Sequence, residues 1–248
     1  VSTVTACVVA GAGIPVAKHG GRSVSSASGS ADVLAALGVV LEMPRRAAER
    51  ALAEGGLAFL FAPAYHPAML AVAPLRRALG VRTVFNLAGP LANPVRVSRQ
   101  LVGVDRPERI AVVAGALRSR GLARAWVVSN EVAGDELLPF GKTRVTALEG
   151  SSVRSFELSA GDFGLPECAP SDLAGGGPEE NAAILTRILA GETGPRRNAV
   201  LMNAAAALVV AGATDHLRDG VARAAESIDT GRAARALATL VERSREAA

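Results

Sequence analysis

Two rhythms of apolar and polar positions run along this chain, one helical and one strand-like. From Val1 to Ala12 small apolar residues recur with helical spacing. The short run Ile14-Pro15-Val16-Ala17 then reads as a buried strand that delivers Lys18-His19-Gly20-Gly21 to its end, which is where α/β sheets place ligands. Gly29-Ser30-Ala31-Asp32 caps a short helix from Val33 to Gly38, and Pro44 to Gly56 reads as a surface helix with a polar face. Leu57 to Phe61 is an unbroken apolar run stopped by Ala62-Pro63, the pattern of a buried strand. His66 to Leu79 is helical in spacing with Gly80 as its C-cap, and Asn86 to Pro94 is a turn region punctuated by Gly and Pro. Glu108 to Arg120 predicts a helix, and Ala125 to Val128 a strand that ends before an acidic loop containing Asp135 and Glu136. Residues 143 to 158 alternate as an exposed antiparallel hairpin does. Helices follow over Ala182 to Leu189, Ala199 to Ala211 and Leu217 to Ile228, with an amphipathic one over Arg232 to Ala247. Strands interleaved with helices, without an internal repeat or a long linker, predict one α/β domain over 1–248 with a mostly parallel central sheet flanked by helices.

Composition narrows this picture. At 248 residues and 50% hydrophobic the chain can bury a full core, which excludes a disordered or fibrous protein. The apolar residues are mainly Ala, Val and Leu with only 3% aromatics, as where helices pack tightly on a parallel sheet. Gly, Pro and charges interrupt every apolar stretch short of the ~20 residues that cross a bilayer, so no membrane partner is expected. Residues 1 to 17 lack a basic leader and a cleavage-like site, and read as buried structure. Cys7 and Cys168 sit far apart with no metal-ligand spacing, which fits a reducing cytoplasm. The net charge of +4 and the pI near 9.8 raise nucleic acid as a partner, but the cations are spread without a block of five or six. An anionic small substrate fits them better. Val1 opens the chain inside an apolar helical pattern with no capping residue ahead of it, as a fragment would.

The densest chemistry lies in Lys18-His19-Gly20-Gly21-Arg22-Ser23-Val24-Ser25-Ser26, which places two cations, paired glycines and three hydroxyls within nine residues. Glycine lets backbone N–H groups approach phosphate oxygens while Lys and Ser supply charge and hydrogen bonds. Gly29-Ser30-Ala31-Asp32 adds a second set of backbone donors at a helix start. A polar turn with solvated charges remains the alternative for the first stretch, and ordinary helix-start residues for Ser2 and Thr3. By itself the Asp135-Glu136 pair reads as two solvated acids on a loop. Glu131 is close enough in sequence to support that pair or to be plain surface charge. No Ser/His/Asp or Cys/His arrangement stands out, and His19, His66 and His216 do not make a histidine metal site.

Lys18-His19-Gly20, Arg22 to Ser26 and Gly29-Ser30-Ala31-Asp32-Val33-Leu34 closely resemble the anthranilate phosphoribosyltransferase signature. His66 to Met69, Arg76 to Thr83, Phe85 to Pro94, Asp135-Glu136 and Asn203 to Leu208 look like successive blocks of that family in order. The resemblance spans essentially the whole chain. It implies the C-terminal α/β domain type shared by nucleoside phosphorylases and these phosphoribosyltransferases, in a homodimeric, Mg²⁺-dependent enzyme of tryptophan biosynthesis. Such an enzyme displaces pyrophosphate from phosphoribosyl pyrophosphate with the amino group of anthranilate. The family's donor contacts fall on Ser2, Thr3, Lys18, Gly20 and Ser30, and its metal contacts on Ser2, Asp135 and Glu136. Its anthranilate contacts fall on Gly21, His66, Arg76 and Pro90, with Arg76 offering a planar fork to the carboxylate. Arg77 beside it points ~100° away on a helix and reads as surface.

Gly21 stands where the family usually carries Asn, which puts acceptor affinity or identity in question. The family also carries a Gly-Thr-Gly-Gly-Asp loop, an Asn and a helical dimerisation domain ahead of the segment that starts here at Val1. The resemblance therefore implies an N-terminally truncated chain, which as it stands would bind the donor poorly. Three other readings stay open: a pyrimidine nucleoside phosphorylase of the same fold, a catalytically inactive paralogue that binds nucleic acid, and a folded but inactive domain.

Overall fold

The computed structural model describes residues 1–23, 27–68, 88–132 and 134–246. Helix α1 spans Ser2–Gly11, strand β1 Val16–Gly20, α2 Ser30–Ala36, α3 Arg45–Gly55, β2 Leu57–Phe61 and α4 Ala62–Tyr65. After a 3₁₀ turn at Gly89–Leu91 come β3 Arg99–Gly103, α5 Ile110–Ser119 and β4 Arg124–Asn130, then the strands β5 Thr143–Glu149 and β6 Ser152–Leu158. The chain closes with α6 Pro178–Leu189, α7 Pro195–Ala211, α8 Leu217–Asp229 and α9 Arg232–Ser244.

The expected α/β class is observed. Among the described residues β1 pairs with β2 in parallel, and β3, β4, β5 and β6 form a second sheet in that order. In that sheet β3 and β4 are parallel, while β4, β5 and β6 run antiparallel, so the expected hairpin over 143–158 supplies the antiparallel part. Strand β2 falls where the apolar run puts it. Two expectations need correction. Strand β1 includes Lys18, His19 and Gly20, which therefore lie within the strand and not beyond its end. Strand β3 has no counterpart in the sequence reading, because Arg99-Gln100-Leu101-Val102-Gly103 is half exposed and carries no strong apolar run.

Three bodies of core follow from which faces are apolar. Helices α1, α2, α3, α6, α7, α8 and α9 enclose β2 in the largest cluster, centred on Cys7, Val8, Ala31, Phe59 and Leu208. One face of the second sheet, through Trp126, Val128 and Val145, packs with Phe163 of the 3₁₀ turn after β6 on Met202, Ala205, Ala206 and Val210 of α7. The opposite face, through Val102, Ala125 and Val127, packs on Val113 and Leu117 of α5. Helix α7 is buried almost all round, as a helix wedged between two cores must be. Arg223 of α8 ties two helix ends together, donating to the carbonyls of Ala12 at 2.8 Å and Ala213 at 3.0 Å. Those end-of-helix carbonyls have no partner within their own helices. Among the described residues no helix is long and apolar enough to cross a membrane.

Candidate active site

Strand geometry decides how the site is divided. Successive side chains on a strand point to opposite faces, so Lys18 and His19 of β1 serve two different compartments. On one face Lys18 Nζ donates to Ser2 Oγ at 3.0 Å, and the backbone N–H of Ser2 donates to Glu136 Oε1 at 2.9 Å. The first turn of α1, the middle of β1 and the loop after β4 are thereby joined in one line. Gly20, on the same face as Lys18, lies against Ser30: a Cβ built there would stand 3.6 Å from Ser30 Cβ. Ser2, Thr3, Gly29, Ser30 and Glu136 line one cavity of about 530 Å³, which also takes in Ser28, Asn181 and Arg196.

Electrostatics on this face are those of a site built for an anion and a cation together. Burial holds the Lys18 ammonium below its ordinary pKa of 10.5, and the charge of Glu136 opposes that shift. Asp135 as a residue is exposed, yet partial burial of its carboxyl, and then the neighbouring Glu136 charge, push it above the usual carboxylate range. Its backbone is pressed onto β3, because a Cβ at Gly103 would overlap the Asp135 carbonyl. Only glycine at 103 permits that approach. Asn203 of α7 holds the next step of the loop, accepting from Leu137 N–H at 3.2 Å and donating to Leu137 O at 2.7 Å. Among the described residues no group of three His, Cys, Asp or Glu side chains could enclose a metal ion. Two adjacent carboxylates beside a hydroxyl, with Glu136 Oε2 left outside the Ser2 hydrogen bond, are instead the oxygen donors that Mg²⁺ uses when substrate phosphates complete its shell.

The second face of β1 holds the acceptor candidates. The His19 and His66 rings meet edge to face with centroids 5.2 Å apart, and His66 Nε2 contacts Ala92 O at 2.8 Å. His19 Nε2 is buried and, among the described residues, has no hydrogen-bond partner. Burial, and then the nearby His66, hold the His19 pKa below 6.5, which keeps its ring neutral at pH 7. Pro90 lies in the 3₁₀ turn, and its carbonyl accepts from Gln100 Nε2 of β3 at 2.7 Å. Gly21 ends next to α4: among the described residues a Cβ there would meet only Ala62 Cβ, at 4.0 Å.

The structure thus brings together Ser2, Thr3, Ser30 and Glu136 around one cavity, with Lys18 on Ser2 and Asp135 beside Glu136. It places His66 and Pro90 in the neighbourhood of His19. Arg76, Arg77 and the helix expected over His66 to Leu79 fall wholly or mostly outside the described residues, as do Val24, Ser25 and Ser26. Two sequence expectations are corrected. The backbone donors offered to phosphate are partly occupied, since Ser23 N–H and Gly29 N–H both donate to Asp32 Oδ2, at 3.0 and 2.9 Å, and Ala31 N–H donates to Gly21 O. Asp32, held below its ordinary pKa by the Ser23 N–H first of all, closes the loop upon itself. Glu131 is likewise engaged away from the acidic pair, accepting Lys142 N–H at 2.8 Å within its own turn. The sequence reading missed His19 as a site residue; a histidine next to a strand lysine offers no signal until alternation is applied to it.

Residues 1–234 match the model of a glycosyl transferase family, a/b domain. The chain is 49% identical over 233 residues to the anthranilate phosphoribosyltransferase of Brucella suis biovar 1 (strain 1330), covering 94% of this chain and 68% of that protein. The chain belongs to the anthranilate phosphoribosyltransferase family. The Thermus thermophilus anthranilate phosphoribosyltransferase has a crystal structure that superposes with a TM-score of 0.92 at 46% identity, covering 99% of this chain and 73% of that one. The Saccharomyces cerevisiae anthranilate phosphoribosyltransferase, in complex with PRPP and Mg, superposes with a TM-score of 0.88 at 31% identity, covering 97% of this chain and 68% of that one. The fold of the phosphoribosyltransferase and nucleoside phosphorylase type, expected from the motifs, is thereby established.

Proposed function

We propose that this chain transfers the phosphoribosyl group of phosphoribosyl pyrophosphate to the amino group of anthranilate, with release of pyrophosphate, as a step of tryptophan biosynthesis. The observation that carries this reading is the division by β1: the Lys18, Ser2 and Glu136 line with Asp135 on one face, and His19 with His66 on the other. The named relatives support it, and one of them binds PRPP and Mg.

In this reading the bond from the anomeric carbon to the pyrophosphate oxygen breaks as the bond to the anthranilate nitrogen forms. Lys18 and the hydroxyls of Ser2, Thr3 and Ser30 bind and orient the phosphates, and Gly20 lets the donor approach the backbone beside Ser30. Asp135 and Glu136, with the Ser2 hydroxyl, would hold Mg²⁺, which when bound neutralises the charge building on the leaving pyrophosphate. The protein's own contribution is positioning and electrostatics, and no protein nucleophile is required. An aromatic amine is already neutral at pH 7, so it attacks unaided. The proton it then loses finds an acceptor in neutral His19, whose Nε2 is otherwise unpartnered. His66, Pro90 and Gly21 shape the place of the aromatic ring, and Arg76 takes its carboxylate. The homodimer and the cytoplasmic setting implied by the resemblance belong to the same reading.

The test is pyrophosphate release by the gene product with phosphoribosyl pyrophosphate, Mg²⁺ and anthranilate. Release that needs all three, and that Asp135→Asn and Glu136→Gln each reduce by about 100-fold or more, is the expected result. Release indifferent to both carboxylates would refute the assignment.

A further inference from the structure

The Asp135-Glu136 pair occupies a span of chain held at both ends. At one end the backbone of Asp135 rests on Gly103 of β3, with no room for a side chain between them. At the other end Leu137 is gripped through its backbone by one side chain, that of Asn203. The carboxamide takes the Leu137 N–H and gives to the Leu137 carbonyl, as a neighbouring strand would, and its second amide hydrogen goes to Ala199 O at 2.8 Å. All three bonds are buried, and Asn203 itself is 6% exposed. Polar groups withdrawn from water to this degree must be paired, so the geometry of the carboxamide dictates where Leu137 can lie.

The consequence reaches the carboxylates, because consecutive Cα atoms are about 3.8 Å apart and a displaced Leu137 backbone carries Glu136 with it. Mg²⁺ demands a near-ideal octahedron with ligands at about 2.0–2.1 Å, which leaves little tolerance for such a displacement. We propose that Asn203 is a positioning residue of the metal site: by clamping the backbone of Leu137 it fixes the Asp135 and Glu136 carboxylates where a hard divalent cation needs them. This rests on the reading that those two carboxylates hold Mg²⁺. The Asn203 carboxamide is engaged by the backbone of Leu137 and Ala199, so its effect passes through the main chain.

A purely structural asparagine would cost stability on removal without changing metal affinity, so the test separates the two. The variant of choice is Asn203→Ser, since a helical serine back-bonds to the carbonyl four residues earlier, here Ala199, but is too short to clamp Leu137. The control is Leu208→Ala, which empties a fully buried position further along α7 that packs in the core around β2, while Leu137 packs in the core of the second sheet. Binding of Mn²⁺, as a paramagnetic substitute for Mg²⁺, is measured by electron paramagnetic resonance in the presence of phosphoribosyl pyrophosphate, alongside the melting temperature. Asn203→Ser is expected to weaken Mn²⁺ binding by about 10-fold or more, and Leu208→Ala to lower the melting temperature while leaving Mn²⁺ binding within about twofold of the parent. Parent-like Mn²⁺ binding in Asn203→Ser, or an equal loss in Leu208→Ala, overturns the proposal while the metal reading stands. Failure of the parent protein itself to bind Mn²⁺, or binding unchanged by Asp135→Asn, overturns both. Should Asn203→Ser not fold, Asn203→Ala read by the same resonance titration decides in the same way.

Discussion

The two faces of β1 are built differently. The Lys18 face is tied down: its polar groups are engaged by α1, by the loop after β4 and, through Asn203, by the helix wedged between two cores. The His19 face rests on a 3₁₀ turn and a four-residue helix, and it keeps a buried imidazole nitrogen without a partner among the described residues. A highly charged leaving group needs fixed charges and dipoles in place before the bond breaks, and such preorganisation comes from rigid elements. A planar aromatic acceptor needs a shaped gap with few polar contacts. In the proposed reading, stability and donor chemistry belong to one face and acceptor choice to the other.

The largest break in this contrast should come from Gly103→Ala, which forces the Asp135 backbone off β3. It is expected to cost about 3 kcal/mol of stability in denaturant titration and to raise the Mg²⁺ needed for half-maximal rate. A variant with parental stability would show that the acidic loop is not braced there. Next in size is the pH behaviour of Lys18, whose pKa is lowered chiefly by burial. Between that lowered value and the ordinary 10.5 the unfolded chain binds the extra proton, so without donor the stability rises with pH across this window. Donor affinity moves the other way, falling as the ammonium is lost, and Lys18→Met should remove both dependences.

Smaller again is Asp32→Asn, which weakens the closure of the loop at Ser23 and Gly29 by about 1.5 kcal/mol. The Asp32 pKa is depressed, so its contribution is present above the unfolded value of about 3.9 and lost as pH falls through the folded value. Thermal melts of Asp32→Asn and parent should therefore converge in strong acid. The smallest effect is expected at Gly21→Ala. Its backbone is not in the left-handed region and among the described residues the new methyl meets only Ala62, so stability should stay within about 0.5 kcal/mol. A change in the ratio of rates for ring-substituted and plain anthranilate at unchanged stability would make Gly21 an acceptor-side residue; an unchanged ratio would remove it from the site.

Local signals were legible in the sequence, and pairings between distant segments were not. The apolar run of β2 and the alternation of the β5-β6 hairpin are local patterns, and both appear where the sequence puts them. Ser2, Lys18, Ser30 and the Asp135-Glu136 pair were identified through family motifs, and the structure gathers them from α1, β1, α2 and the loop after β4. Strand β3 escaped because an edge strand half open to water needs no apolar run. The bracing of Asp135 by Gly103 and of Leu137 by Asn203 joins residues 32 and 66 positions apart, which no periodicity encodes. The loop amides looked free for phosphate because the reach of Asp32 back to Ser23 becomes visible only once the chain has turned.

The division by β1 is tested most directly by steady-state kinetics of Lys18→Met and His19→Ala in the gene product, with each substrate varied in turn. The account predicts that Lys18→Met raises the KM for phosphoribosyl pyrophosphate about 10- to 100-fold and leaves that for anthranilate within about twofold. It predicts that His19→Ala lowers kcat/KM for anthranilate about fivefold and leaves the KM for phosphoribosyl pyrophosphate unchanged. Equal effects of either substitution on both substrates would contradict it.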